Sequence, residues 1–318
     1  MSATIAVFHA RLHRWYEAHG RKALPWRNTC DPYAIYVSEI MLQQTQVKTV
    51  LERYYFPFLT QFPTLPALAR APLKDVLKAW QGLGYYHRAG NLHRVARQCN
   101  HQLPTQVDQL LALPGIGRNT AHAIAAFAFR RPVPVLEANV KRVLSRIFAL
   151  SHASEKRLWE KAEALLNCNN PFDYNQAMMD LGALVCTHQR PLCHACPASL
   201  LCKGKSNPGA YPMAKAKKTV PIRRQAIVVK RNAKQQYYAT PRAGTFLRGY
   251  YQFSVMKQAP TNARNIGHIR QQYSHFTLDA DIFLLRTAGA GKHWYRLSEL
   301  TQLPLSMAEQ KILRLLAS

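Results

Sequence analysis

Carboxylates are scarce in this chain. Sixteen Asp and Glu stand against forty-three Lys and Arg in 318 residues, a formal charge of +27. A protein so charged repels itself unless its partner is a polyanion, and nucleic acid is the first candidate. Long apolar runs are missing too. None approaches the roughly 20 residues of a membrane span, and the N-terminus mixes His9, Arg11, His13 and Arg14 with apolar positions, as an amphipathic helix does and a secretion signal does not. The expectation is a cytoplasmic protein without a membrane partner. Acids vanish altogether between Asp180 and Asp279, an interval holding Lys203, Lys205, Lys215, Lys217, Lys218, Arg223 and Arg224. A disulfide framework is disfavoured in such a chain, because four of its seven cysteines crowd together as Cys186-x6-Cys193-x2-Cys196-x5-Cys202. Four thiolates in one short loop make a metal site. Zinc and a 4Fe–4S cluster both satisfy the spacing, and His188 and His194 could substitute in principle, so spacing leaves the metal open. Cys30, Cys99 and Cys168 are scattered and read as ordinary thiols.

At this length, with 48% hydrophobic residues, two or three packed domains are expected. The stretch Leu113-Pro-Gly-Ile-Gly-Arg-Asn-Thr followed by an apolar helix from Thr120 to Phe129 reads as helix, hairpin, helix. Gly115 and Gly117 suit a tight turn whose backbone N–H groups approach an anion such as a phosphate. An ordinary Pro-Gly turn before a core helix would leave the same trace. Glu137 stands alone in this neighbourhood, the one carboxylate between Asp108 and Glu155, just before a basic helix carrying Lys141, Arg142 and Arg146. Its plain reading is a helix-terminus charge or an ion pair. Its functional reading is a carboxylate held ionised near DNA.

In the first forty-odd residues, Leu24-Pro-Trp26-Arg27 breaks the N-terminal helix and places an aromatic and a cation in a loop. A second helix follows, on which Glu39 and Gln43 share a face, with Gln44 and Gln46 nearby. Uncharged polar groups of this kind suit insertion into a base stack, although a glutamine-rich helix surface is common. Gln81-Gly-Leu-Gly-Tyr85-Tyr86-His-Arg88 is a glycine turn presenting an aromatic and an arginine. Two more amphipathic helices, Leu158 to Leu166 and Asn175 to Val185, lead into the cysteine loop. Residues 211–224 form a basic linker. Beyond it the pattern alternates in strand fashion, with Ala226-Ile-Val-Val and Ile282-Phe-Leu-Leu as buried strands. That α+β domain lacks the glutamate-rich helix a pyrophosphate hydrolase uses to hold magnesium, so a binding role is expected.

Taken together, Leu24-Pro-Trp-Arg27, Ser38-Glu-Ile-Met-Leu-Gln-Gln-Thr-Gln-Val47, Gly82-Leu-Gly-Tyr-Tyr86, Leu113-Pro-Gly-Ile-Gly-Arg118, Asn139-Val-Lys-Arg-Val143 and Asn175-Gln-Ala-Met-Met-Asp-Leu-Gly182 resemble the MutY-like adenine DNA glycosylases of the helix-hairpin-helix superfamily. The likeness runs over about residues 5 to 215. It implies a mainly α fold: an iron–sulfur domain from 1–27 and 132–210, a helical-barrel domain with the hairpin at 28–131, and a small Nudix-like α+β lesion-recognition domain at 225–318. The implied cofactor is a 4Fe–4S cluster on Cys186, Cys193, Cys196 and Cys202. The implied partner is double-stranded DNA containing 8-oxoguanine:adenine mispairs, met by a monomer in the cytoplasm at the nucleoid.

The same resemblance assigns roles. Glu39 protonates the flipped adenine, and the carboxylate before Asn139 stabilises an oxocarbenium-like sugar. Asn119 stands where bifunctional relatives carry a lysine, so strand cleavage through a Schiff base is not expected. Gln43 and Tyr85 fill and wedge the duplex. Trp26, Arg27 and Gln176 line the adenine pocket, and Asn139 supports the second carboxylate. The wider DNA-facing set is Leu24, Gln44, Arg88, Gly115, Gly117, Arg118, Lys141 and Arg142. Tyr273, Ser274 and His275 look like the loop that reads 8-oxoguanine.

Three departures stand out. The family's Leu-Asp-Gly-Asn is here Leu136-Glu-Ala-Asn139, one methylene longer and without the glycine, so Glu137 is expected to overshoot C1′ and slow the enzyme. Position 119 is Asn where Ser or Tyr is usual, and the C-terminal domain is short. These departures keep two alternatives open: an impaired lesion-binding protein, and a glycosylase for thymine or uracil opposite guanine.

Overall fold

The computed structural model describes residues 3–99, 101–213 and 219–317. Lys215, Lys217 and Lys218 of the basic linker lie outside the described residues. The helices in chain order are α1 (Ala3–His19), α2 (Pro32–Leu42), α3 (Val47–Arg53), α4 (Tyr55–Gln61), α5 (Leu65–Arg70), α6 (Leu73–Ala79), α7 (His87–Cys99), α8 (Val107–Leu111), α9 (Arg118–Phe129), α10 (Ala138–Ile147), α11 (Glu155–Leu165) and α12 (Pro171–Asp180). Strands β1 (Ile222–Arg231), β2 (Tyr237–Tyr238), β3 (Thr240–Pro241), β4 (Tyr251–Gln252), β5 (Ser254–Met256), β6 (Arg264–Gln272), β7 (Thr277–Arg286) and β8 (Trp294–Tyr295) follow, then α13 (Leu297–Leu300) and α14 (Met307–Ala317). No helix among the described residues is long and apolar enough to cross a membrane.

Several helix starts are written into the sequence. Asp31 accepts the Tyr33 N–H ahead of Pro32, Asn170 accepts the Asp173 N–H ahead of Pro171, and Ser154 accepts the Arg157 N–H; each side chain satisfies an N–H the helix itself cannot. By contrast α9 begins at Gly117 with no side-chain cap. Its first N–H groups are left for something else.

The chain divides into two compact units, residues 1–44 with 101–216, and 45–100 with 217–318. This division differs from the expected boundaries, since 45–100 groups with the C-terminal strands and not with the hairpin. In the first unit Phe8, Leu12 and Tyr16 of α1 bury against Val140, Val143, Leu144 and Ile147 of α10, and against Leu158, Trp159 and Ala162 of α11. The 140-143-144-147 spacing is one helical face. Helix α9, alanine-rich and buried nearly all round, packs on α2 through Ile35, Ala123, Ala126 and Phe127.

In the second unit the sheet runs β6-β7-β1-β2-β8, with β5 also pairing β1. The two expected buried strands are neighbours: β1 and β7 run parallel with Ile227 opposite Ile282. Between β6 and β7 the antiparallel hairpin closes at Tyr273, whose N–H reaches the Phe276 carbonyl at 2.8 Å. The strands are anchored to the helices of the same unit: the buried Tyr250 donates its hydroxyl to the Leu77 carbonyl at 2.9 Å, and the Gln81 Oε1 accepts the Leu305 N–H at 3.0 Å.

Candidate active site

In the first unit Glu39, on the last turns of α2, keeps only part of its surface open to solvent. Burial pushes its carboxyl up to about 7; nearby Arg27 pulls the other way and Glu137 adds to the rise. The two carboxyl groups therefore share one electrostatic neighbourhood. Such an acid holds its proton near neutrality, as a general acid must.

Glu137 turns back onto its own helix. Its Oε1 accepts the Val140 N–H at 3.0 Å and its Oε2 the Asn139 Nδ2 at 3.3 Å, so it caps α10. Burial raises its carboxyl above the ordinary value, against the pull of Asn139, Val140 and Arg142. These donors and the cation do not fully offset desolvation here. One expectation changes. Ala138 occupies the first turn of α10 and is absent from the left-handed residues, so glycine is not required there.

Two amides hold the strand leading to Glu137. Asn119 Oδ1 accepts the Leu136 N–H at 2.8 Å, and Asn175 accepts the Val135 N–H at 2.8 Å while donating to the Val133 carbonyl at 2.9 Å. On the other side Arg142 donates to Asn139 Oδ1 at 2.8 Å, the Gly182 carbonyl at 2.7 Å and the Cys186 carbonyl at 2.9 Å. Gly182 has to be glycine, because an added Cβ would stand 2.5 Å from that of Asn139. One guanidinium thus ties the carboxylate loop to the start of the cysteine loop.

Leu24, Trp26, Arg27 and Gln176 are all buried. Gln43 donates to the Thr120 hydroxyl at 3.0 Å. Gln44 is exposed in a left-handed conformation with φ 56°, a strain that side chains accept chiefly at functional positions. In the hairpin Gly115 has φ 79°, while a Cβ on the exposed Gly117 would meet nothing. The bare start of α9 is open to an incoming phosphate. Two expected surface cations are paired: Arg118 with Glu163 at 3.0 Å and over the Trp159 ring, Lys141 with Glu155 at 2.8 Å.

All four clustered cysteines line one cavity together with Arg146 and Pro208. Burial first, and then the other three thiols, push the Cys196 thiol up to about 11. Arg146, buried, clamps the loop through the Thr187 carbonyl at 2.6 Å, the His188 carbonyl at 2.9 Å, the Pro208 carbonyl at 2.9 Å and the Cys186 Sγ at 3.3 Å. No three His, Cys, Asp or Glu groups among the described residues stand close enough to share a single metal ion.

In the second unit a groove of about 690 Å3 is lined by Tyr85, Phe246, Tyr273, Ser274 and His275, among others. Tyr85, 38% exposed, has φ 45°. The Phe246 ring meets Tyr273 and His275 edge-on at 5.2 Å. Below them the Tyr273 hydroxyl lies 3.3 Å from that of Ser306, which donates to the buried Glu309, itself paired with Arg242 at 2.8 Å. Arg88 is turned inward: it packs over Trp80 and donates to the Gly84 carbonyl at 3.1 Å and the Thr45 hydroxyl at 3.1 Å. Like Arg142, it braces the protein's own main chain, contrary to the expected DNA contact.

No sequence motif assigns a role to Asp180. It accepts Arg27 at 2.6 and 3.0 Å. The signal was available: an acid at the end of the apolar run Ala177-Met-Met, with no basic residue within four positions, needs a distant cation.

The model of the HhH-GPD superfamily base excision DNA repair proteins matches residues 37–168. The adenine DNA glycosylase of Buchnera aphidicola subsp. Acyrthosiphon pisum is 31% identical over 339 residues, covering 96% of this chain and 97% of the relative. The chain belongs to the adenine DNA glycosylase family. Another family member, from Buchnera aphidicola subsp. Baizongia pistaciae, is 40% identical over 211 residues, covering 64% of this chain but 60% of its own length. Among solved structures, a thermostable thymine-DNA glycosylase superposes with a TM-score of 0.59 at 29% identity, over 64% of this chain and 97% of that one. The length matched there is about that of the helical portion; the first relative aligns through the C-terminal strands as well.

Proposed function

We propose that the protein is a monofunctional, monomeric DNA N-glycosylase that removes adenine mispaired with 8-oxoguanine in double-stranded DNA. The observation that carries this reading is the pair of half-buried carboxyl groups, Glu39 at the end of α2 and Glu137 at the start of α10, the second near enough to raise the first. Glu39 donates its proton to a ring nitrogen of the flipped adenine. The C1′–N9 bond then breaks with its electron pair leaving on the base, and the Glu137 carboxylate offsets the positive charge that develops on the sugar. Water adds to C1′ and its proton returns to Glu39, which restores the acid. Asn139 orients Glu137, and Asn119, an amide with no nucleophilic amine, offers no route to a Schiff base.

Trp26, Arg27 and Gln176 wall the base pocket, and Leu24 faces the DNA beside them. Gly115, Gly117, Arg118 and Lys141 lie along the phosphates, and Gln43, Gln44 and Tyr85 enter the stack. The Tyr273-Ser274-His275 tip reads the opposite base, which its exposed hydroxyl and imidazole suit. The cysteine donor set fits a 4Fe–4S cluster. The four cysteines line one cavity, and four thiolates are the donor set such a cluster takes. Bound there, the cluster would cross-link the loop that Arg146 and Arg142 already hold.

One observation favours the lesion-binding alternative: both oxygens of Glu137 are already engaged, Oε1 by the Val140 N–H that it caps and Oε2 by the Asn139 side-chain amide. Single-turnover assays on duplexes with adenine opposite 8-oxoguanine, guanine or cytosine separate the readings. Tight binding of the 8-oxoguanine mispair with no base release would sink the glycosylase assignment.

A further inference from the structure

The groove in the second unit has two walls, and both are tied to the start of α14. One wall is the turn between β3 and β4. There the Arg242 N–H reaches the Tyr250 carbonyl at 2.9 Å and the Gly249 N–H the Arg242 carbonyl at 3.1 Å, with Leu247 and Gly249 left-handed at φ 57° and 83°. Phe246 therefore stands on a closed loop. The other wall is the tip between β6 and β7, where Tyr273, His275 and Phe276 meet the Phe246 ring at 5.2, 5.2 and 5.4 Å between centroids. Beneath the loop, Arg242 Nη2 donates to Glu309 Oε1 at 2.8 Å. Beneath the tip, the Tyr273 hydroxyl meets Ser306 Oγ at 3.3 Å. Ser306 closes the circuit by donating to Glu309 Oε2.

The donors in this circuit are fixed. Ser306 has one hydroxyl proton and gives it to Glu309, so its oxygen accepts both the Tyr273 hydroxyl and the Ala308 N–H at 3.2 Å. Ser306-Met-Ala-Glu309 has the spacing of a helix-capping pair, and starting α14 is its plain role. Capping does not account for the partners Glu309 takes. Both its oxygens are in use, one on Arg242 and one on Ser306, in a side chain only 2% exposed. Well-packed apolar groups stabilise a fold as well as a buried ion pair does. What this pair supplies is a fixed spacing between two loops that carry the exposed groups of the groove.

We propose that Glu309 is a positioning residue for lesion preference: through Arg242 it holds the Phe246 loop, through Ser306 it holds Tyr273, and it so keeps the stacking surface and the Ser274-His275 tip in register. The proposal rests on the groove reading the base opposite adenine. Guanine and 8-oxoguanine differ along one ring edge, by the C8 oxygen and the N7 proton, so groups that tell them apart must be held to within about 0.5 Å. Glu309→Gln leaves one acceptor oxygen where two are in use. Tyr273→Phe keeps the ring and removes only its link to Ser306.

The test is binding to two duplexes in which 2′-fluoro-2′-deoxyadenosine lies opposite 8-oxoguanine or guanine; its electron-withdrawing fluorine disfavours a sugar cation and so blocks cleavage. The readout is the ratio of the two dissociation constants. Glu309→Gln, Ser306→Ala and Tyr273→Phe should each lower the parental preference by roughly 3–10-fold, the range of one net hydrogen bond. Ser306→Ala combined with Tyr273→Phe should lose no more than the larger single loss, because both remove the same bond. A merely structural role weakens both duplexes alike and leaves the ratio in place. Ser274→Ala with His275→Ala is the control. If the control loses preference while Glu309→Gln keeps it, or if the Ser306 and Tyr273 losses add, the proposal is overturned and the groove remains the reader. A control that keeps the parental preference removes the groove as reader, and the proposal with it. Should Glu309→Gln fail to fold, the Ser306 and Tyr273 variants decide: a shared loss supports the proposal, and an additive loss or none overturns it.

Discussion

Around Glu39 in the first unit, charged groups are tied to other parts of the fold: Arg27 to Asp180, Arg142 to Asn139 and two carbonyls, Glu137 to its own helix. Around Ser274 in the second, the groove is lined largely by aromatic, imidazole, amide and hydroxyl groups, and a buried ion pair, Arg242 with Glu309, lies beneath it. The difference follows from the two tasks. Charge stabilisation at a transition state needs dipoles that do not reorganise, so the pocket fixes them. Reading a lesion needs exposed groups with a stacking surface, so the groove leaves them open and fixes only their floor.

Substitutions in the pocket should therefore cost rate, and those in the groove preference. The largest effect is expected for Glu39→Gln and Glu137→Gln, which should each lower single-turnover excision by at least about 100-fold while mispair binding by gel shift persists; parental rates in either would break the contrast at its centre. Glu137→Asp, which restores the family's shorter arm, should retain or increase activity. Burial raises the Glu39 carboxyl from 4.5 to about 7, so the fold loses stability as pH climbs between those two values and the penalty is complete above them. Glu39→Gln should thus melt above the parent at pH 8 and approach it at pH 5. Equal melting differences at both pH values would mean that Glu39 is not desolvated in solution.

Next in size is the cluster. Protein expressed with ample iron should be yellow-brown, with about four iron and four sulfide per chain; stoichiometric zinc without sulfide would remove the iron assignment. For the groove, Ser274→Ala with His275→Ala should reduce preference for 8-oxoguanine over guanine opposite adenine by on the order of tenfold, the loss of one or two hydrogen bonds, with excision of captured substrate nearly unchanged. Intact discrimination would place lesion reading elsewhere. The smallest effect concerns the linker: neutralising Lys215, Lys217 and Lys218 together should flatten the log–log salt dependence of binding by up to about 0.9 for each phosphate no longer neutralised, and an unchanged slope would exclude the linker from the DNA interface.

Much was decided by sequence alone. Helix starts, the hairpin, the two central strands and the clustering of cysteines are local properties: capping side chains, glycine turns, alternation and short loops act over a few residues and leave their trace in order along the chain. The pairing of Glu39 with Glu137 was legible only because both belong to motifs. What a buried group meets from 40 or 150 positions away was not legible. Arg88 and Arg142 read as DNA-facing cations and are tied to carbonyls of the protein itself, and Asp180 gathered two arginines across 153 and 159 residues. Residues 45–100 grouped with the C-terminal strands through single contacts such as Tyr250 to Leu77. Such contacts are set by which surfaces exclude water together, and only the tertiary structure decides that.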